Sequence, residues 1–275
     1  MIFTVRYECN GRFGNVVFLY TLCVIYQLLG YTYINTPSGN EVYIDDNMFV
    51  EIFNEKLFKD KTLPIFNCNI VFTGYFQHDY IIKYFKEQVL KFIRDNPTQK
   101  LNCGIKDLMY NNTMLTNECL PSLELDDNDI VIHVRLEDKL TNENITDYHC
   151  VMSPNDYDII LNSIKYNKIY WVMNKPTTEF EHKYINYLLN KWGGIYKEQS
   201  LEEDFYLMRK IKTIICSIST LSWVASAFSI NDQIVYLPKN HSNHKWLTFS
   251  KPHNNTYIYN YTPCTLQRIE NILGD

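Results

Sequence analysis

His133-Val134-Arg135 closes a largely apolar run, Asp129–Val134, and is followed by Glu137, Asp138, Lys139 and Glu143. Alternation along a strand sends His133 and Arg135 to the same side. The carboxyl end of a parallel strand is where ligands bind in open α/β sheets, and an arginine there offers a planar donor fork matched to a diphosphate. The same arginine would equally serve in a salt bridge to Glu137 or Asp138 in a solvated turn. A second cluster, Ser217-Ile218-Ser219-Thr220-Leu221-Ser222-Trp223, crowds hydroxyls at the start of a helix. They can cap it, or join its free N–H groups in holding a phosphate.

Two weaker patterns remain. Gly11-Arg12-Phe13-Gly14-Asn15 is a glycine-bearing turn that permits close backbone approach, but it has neither the ending of a P-loop nor a G-x-G-x-x-G fingerprint. Glu203-Asp204 opens a helical stretch, where acids complement the helix dipole. A carboxylate in that place can also accept two N–H bonds from a guanine edge. His241, His244 and His253 lie in a polar stretch that reads as a surface loop, and no metal site is expected.

The elements that must position these groups alternate between strand and helix. Ile2–Tyr7, Tyr31–Asn35 and Asn69–Tyr75 read as strands, and Val16–Leu29 as an apolar helix ending at Gly30. Asp79–Arg94 is helical, with Ile82, Phe85, Val89 and Phe92 on one stripe. After a polar, weakly periodic stretch, strands at Asp129–Val134, Lys168–Met173, Thr213–Cys216 and Gln233–Leu237 alternate with helices. Those helices are expected from Ser153-Pro154 onward, at Glu179–Lys191, at Leu201–Lys210 and at Thr220–Phe228, with Gln233–Leu237 closing the series. That alternation predicts a parallel sheet. Two α/β lobes follow, residues 1–125 and 126–275.

Composition narrows the function. Lys and Arg number 26 against 31 Asp and Glu, a net charge of −5, and without clustered cations a nucleic-acid partner is not expected. Eight cysteines are scattered without a C-x-x-C pair, which reads as buried free thiols in a reducing compartment. The N-terminus does not have the pattern of a signal peptide, and the longest apolar run is too short for a membrane span. Cytoplasmic localisation is therefore expected, although four N-x-S/T sequons, at Asn111, Asn144, Asn254 and Asn260, count slightly against it.

Taken in order, these segments resemble the fucosyltransferase superfamily that uses GDP-fucose, and most nearly the α-1,2-fucosyltransferases of glycosyltransferase family 11. The segments are Gly11-Arg12-Phe13-Gly14-Asn15, Gly74-Tyr75-Phe76-Gln77, His133-Val134-Arg135, and Asp204 with Met208 followed by Ser219-Thr220-Leu221-Ser222-Trp223. The resemblance implies a GT-B fold, two Rossmann-like lobes with the donor site in the C-terminal lobe and the interlobe cleft. It implies an inverting, metal-independent transferase that carries fucose from GDP-fucose to a glycan acceptor and needs no cofactor. Arg135 would grip the β-phosphate, Ser219, Thr220 and Ser222 would line the phosphate site, and His133 and Asp204 would flank the guanine. Gly14 and Asn15 would belong to the donor site.

For the acceptor hydroxyl, Glu143 is the first candidate base and Glu8 the second, and Asp138 would orient Arg135. The chain departs from the pattern at Leu136, Glu137 and Ile218, and at Val172-Met173-Asn174-Lys175 in place of an acidic segment. Two alternatives therefore stand beside fucosyl transfer: a transferase using another nucleotide sugar, and a nucleotide- or carbohydrate-binding protein without catalysis.

Overall fold

The computed structural model describes residues 2–8, 11–102, 109–116, 124–136, 151–239, 247–248, 250–264 and 266–274. The chain divides into two units, one formed by Met1–Cys119 with His244–Ser250 and the other by Leu120–Asn243 with Lys251–Asp275. Each is built on its own parallel sheet.

In the first unit, Thr4–Glu8 (β1) buries Val5, Arg6 and Tyr7 in succession, as a strand covered on both faces must. Phe13–Leu28 (α1) follows, buried at nearly every position from Phe13 to Tyr26. A helix apolar all round belongs inside a protein or a membrane; here it is core, and no helix among the described residues is long and apolar enough to cross a bilayer. Thr32–Tyr33 (β2) lies beside β1. Glu41–Asp45 (β3), Asp46–Ile52 (α2) and Glu55–Asp60 (α3) then lead to Asn69–Thr73 (β4). The sheet order is β2-β1-β4-β3, all parallel.

Asp79–Asp95 (α4) packs on α1 along Ile82, Phe85, Val89 and Ile93. The expected stripe residue Phe92 is only half-buried, because at 3.6 residues per turn the core-facing position drifts to Ile93. Gln77–His78 pairs in parallel with Leu247–Thr248, a late segment that returns to this unit.

The second unit begins with Ile130–His133 (β5), buried at all four positions. It continues through Asp156–Leu161 (α5), Ile169–Val172 (β6), Glu179–Trp192 (α6), Ile195–Tyr196 (β7), Leu201–Lys210 (α7), Thr213–Ile215 (β8), Thr220–Ala227 (α8), Ile234–Pro238 (β9), Thr256–Tyr259 (β10) and Leu266–Gly274 (α9). Strand order is β7-β6-β5-β8-β9-β10, all parallel. The series does not close at β9 as expected, because β10 pairs with it as the edge strand.

Local chemistry starts the helices. Thr178 with Glu181, and Ser200 with Glu203, form capping boxes at α6 and α7. Where β7 meets α6, Gly194 (φ +97°) lies so close to Ile169 and Trp171 that a Cβ would fall 2.7 Å from the Ile169 carbonyl oxygen.

Candidate functional site

The second sheet runs outward from β5 in both directions. After β5 the chain fills β6 and β7 on one side, then crosses back to place β8, β9 and β10 on the other. This is the strand order of doubly wound sheets, and β5 and β8 flank its switch point, the place where open α/β sheets bind ligands beyond the strand ends. His133 and Arg135 stand at the end of β5, and the turn Cys216–Ser219 follows β8. Two hydrogen bonds join these strand ends. The Ser217 hydroxyl meets His133 Nδ1 at 2.7 Å, and Arg135 Nη1 donates to Ser219 Oγ at 3.3 Å.

Ser219 also caps α8 by accepting from the Leu221 amide at 3.2 Å. Capping and facing the guanidinium are therefore done by one hydroxyl. Thr220 is the buried first residue of α8. Ser222 is placed otherwise than as a lining residue: it is fully buried and donates its hydroxyl to the Ser219 carbonyl at 3.3 Å. It sits one turn into the helix, where its side chain points into the core and braces the cap.

Burial and the adjacent Arg135 charge push His133 down to about 3. Its ring is therefore neutral at physiological pH, one nitrogen shared with Ser217, while the guanidinium supplies the positive charge. Asp204, in the first turn of α7, is buried and accepts from Gln199 Nε2 at 2.9 Å. Burial, reinforced by Glu203, pushes its carboxyl up to about 6 against the opposing pull of Gln199. Of this pair of acids, Glu203 completes the α7 capping box, its carboxylate accepting from the Ser200 amide at 2.8 Å. The α7 N-terminus and the β5 and β8 ends lie at the same, carboxyl end of the sheet, because a helix that returns between parallel strands starts at their carboxyl ends.

The first unit holds the remaining predicted residues. Gly14 is buried in the first turn of α1. Asn15 Oδ1 accepts from Gln77 Nε2 at 2.6 Å, joining two separate sequence motifs at the β1 and β4 ends. Glu8 is half-exposed and ion-paired to Arg6, whose guanidinium also clasps Glu41 with two 2.7 Å bonds. Asp138 and Glu143 lie outside the described residues, as do His241 and His244. His253 is a structural residue, its Nε2 within 2.7 Å of the Ser226 carbonyl. Cys23, Cys68, Cys216 and Cys264 are free thiols, and among the described residues no group of three His, Cys, Asp or Glu could hold a metal.

Sequence reasoning did not single out Gln199 or Tyr196, and it named Ser217 within the hydroxyl cluster without pairing it to His133. Tyr196, at the end of β7, has a buried hydroxyl with no hydrogen-bond partner among the described residues and feels the charges of Glu198, Asp204 and Glu181. No spacing marks it, since it belongs to a two-residue strand.

No protein-family model matches the chain, and no curated protein is similar to it. Among solved structures, the chain is similar to E. coli heptosyltransferase WaaC with ADP. That likeness has 12% identity and a TM-score of 0.43, and covers 99% of each chain. A likeness this weak assigns neither family nor activity.

Proposed function

We propose that this chain is a glycosyltransferase of GT-B architecture that moves fucose from GDP-fucose to a glycan hydroxyl, with inversion and without a metal. The observation that carries the reading is the pairing of Arg135 with Ser219 across the switch point of a doubly wound sheet. Displacement at the anomeric carbon breaks the bond to the β-phosphate oxygen, so negative charge gathers on the departing diphosphate. A guanidinium and a helix N-terminus fixed in advance stabilise that charge. His133, neutral and tied to Ser217, leaves Arg135 as the cation of the pair and gives the guanine side a hydrogen-bonding ring. Asp204, with its carboxylate available above about pH 6, is the acceptor for guanine N–H groups.

The acceptor hydroxyl needs a base. Glu143 and then Glu8 are the candidates, and Glu8 would act only after exchanging its bond to Arg6. Asp138 is assigned the orienting of Arg135.

A second reading is favoured by Leu136. This residue, where a second arginine is expected from the resemblance, is 2% exposed and packed in the core, so the segment lacks one phosphate-gripping cation. That favours a different nucleotide sugar or a binding protein without transfer. Thermal-shift titration with GDP, GDP-fucose, GDP-mannose, UDP and ADP separates these readings. Stabilisation by guanine nucleotides over UDP and ADP supports the GDP-sugar reading, and equal or absent responses overturn it. GDP release on adding acceptor sugars then distinguishes a transferase from a binder.

A further inference from the structure

The turn Cys216–Ser219 carries both hydroxyls that meet β5, and within it the Ser219 amide donates to the Ser217 carbonyl at 2.8 Å. The carbonyl that opens the turn is anchored from the sheet edge two strands away. Tyr259, the last residue of β10, is buried and donates its hydroxyl to the Cys216 carbonyl at 2.6 Å. Burial drives its pKa far above the ordinary tyrosine value, so the phenol remains a donor at working pH. The Cys216 amide donates to the Tyr236 carbonyl of the neighbouring strand β9 at 2.9 Å. A trans peptide sets its C=O and N–H on opposite sides. Fixing the Cys216 carbonyl on Tyr259 therefore fixes which way the Ser217 amide faces, two residues before the Ser219 cap.

We infer that Tyr259 is a positioning residue for the diphosphate site: its hydroxyl sets the Cys216–Ser219 turn so that Ser217 meets His133 and Ser219 meets Arg135. The inference rests on the nucleotide-diphosphate reading of the switch point for its ligand, though not for its geometry. Without the phenol the Cys216 carbonyl is a buried acceptor lacking its donor, and the peptide is free to tilt. The turn then loses its register against β5.

The test compares Tyr259→Phe with Tyr184→Phe. The second variant removes an equally buried hydroxyl from the same core, one that donates to the Met152 carbonyl at 2.8 Å, and both keep the aromatic ring. Each protein is labelled with 15N-histidine, and the His133 ring-nitrogen resonances are recorded beside GDP affinity by calorimetry. In Tyr259→Phe the His133 resonances should move and GDP should bind roughly tenfold more weakly, the scale of one hydrogen bond. In Tyr184→Phe both should stay at wild type, although thermal stability falls comparably.

Wild-type resonances in Tyr259→Phe overturn the inference, and so do equal shifts in the two variants. Should the His133 resonances move in Tyr259→Phe alone while no protein binds GDP, the positioning role stands and the nucleotide reading falls.

Discussion

Asp204→Asn should make the protein more stable and its ligand preference worse. The carboxyl is displaced from 3.8 to about 6, with burial the largest cause. Between those two values the folded chain binds the proton that the unfolded chain releases, so stability falls as the pH rises through the window, and the whole penalty stands above about pH 6. A displacement of this size is worth about 3 kcal/mol at neutral pH. The favourable interaction of the charge with the α7 dipole, about 0.5–1 kcal/mol, is lost with it. The amide keeps an oxygen for Gln199, so the net gain is about 2 kcal/mol, or roughly 4–8 °C in Tm.

Thermal unfolding at pH 8 and at pH 3.5 reads the difference, which should vanish at the lower pH, where both states hold the proton. The same variant presents one donor and one acceptor to a guanine edge that offers two donors. GDP affinity should therefore fall about tenfold or more, with ADP little changed. A variant no more stable at pH 8, or equally stabilised at pH 3.5, refutes the desolvation argument. An unchanged GDP-to-ADP ratio refutes the guanine contact.

Arg135→Ala should cost about two to three decades in transfer rate. Circular dichroism should show the variant folded, and near-wild-type turnover in that folded variant would end the phosphate assignment. Ser217→Ala strands a buried imidazole nitrogen and should cost about 1–3 kcal/mol in urea unfolding. Gly194→Ala adds a Cβ 2.7 Å from the Ile169 carbonyl oxygen at φ +97°, and a loss of about 2–4 kcal/mol is expected by the same measurement. Glu41, drawn down to about 2 chiefly by its hydrogen bonds to Arg6, contributes stability that is present above about pH 4.5 and lost as the pH falls to about 2. Acid titration of Glu41→Gln should show that part of the transition missing.

The strands β5, β6, β8 and β9 and the helices α5 to α8 of the second unit were legible because their apolar residues recur with clean periods. α7 has the bounds its sequence suggests, Leu201–Lys210, and α6 differs by one residue. The stretch between β2 and β4 was not legible. Phe49, Phe53 and Phe58 share one aromatic cluster, with ring centroids 4.6 Å apart for the first pair. They sit on two short helices broken at Asn54, so no single period links them. β10 escaped notice because Tyr257 and Ile258, its two central residues, are both exposed where alternation expects one buried.

At the site, the sequence pointed to both strand ends but not to their pairing. The bonds from His133 and Arg135 each span 84 residues, and only the crossing of the chain from β7 to β8 brings them together. Ser222 shows the opposite limit, since a hydroxyl in a motif does not reveal whether it faces solvent or its own helix.

The pairing of Leu247–Thr248 with Gln77–His78 bears on how the molecule is made. A ribosome that has delivered the first hundred residues has not delivered the partner of Gln77–His78 in their two-stranded pair. The N-terminal half must wait, incomplete, until about nine-tenths of the message has been read. A single proteolytic or genetic cut between the halves leaves the first of them without its final piece, so the two would have to be supplied together to restore it.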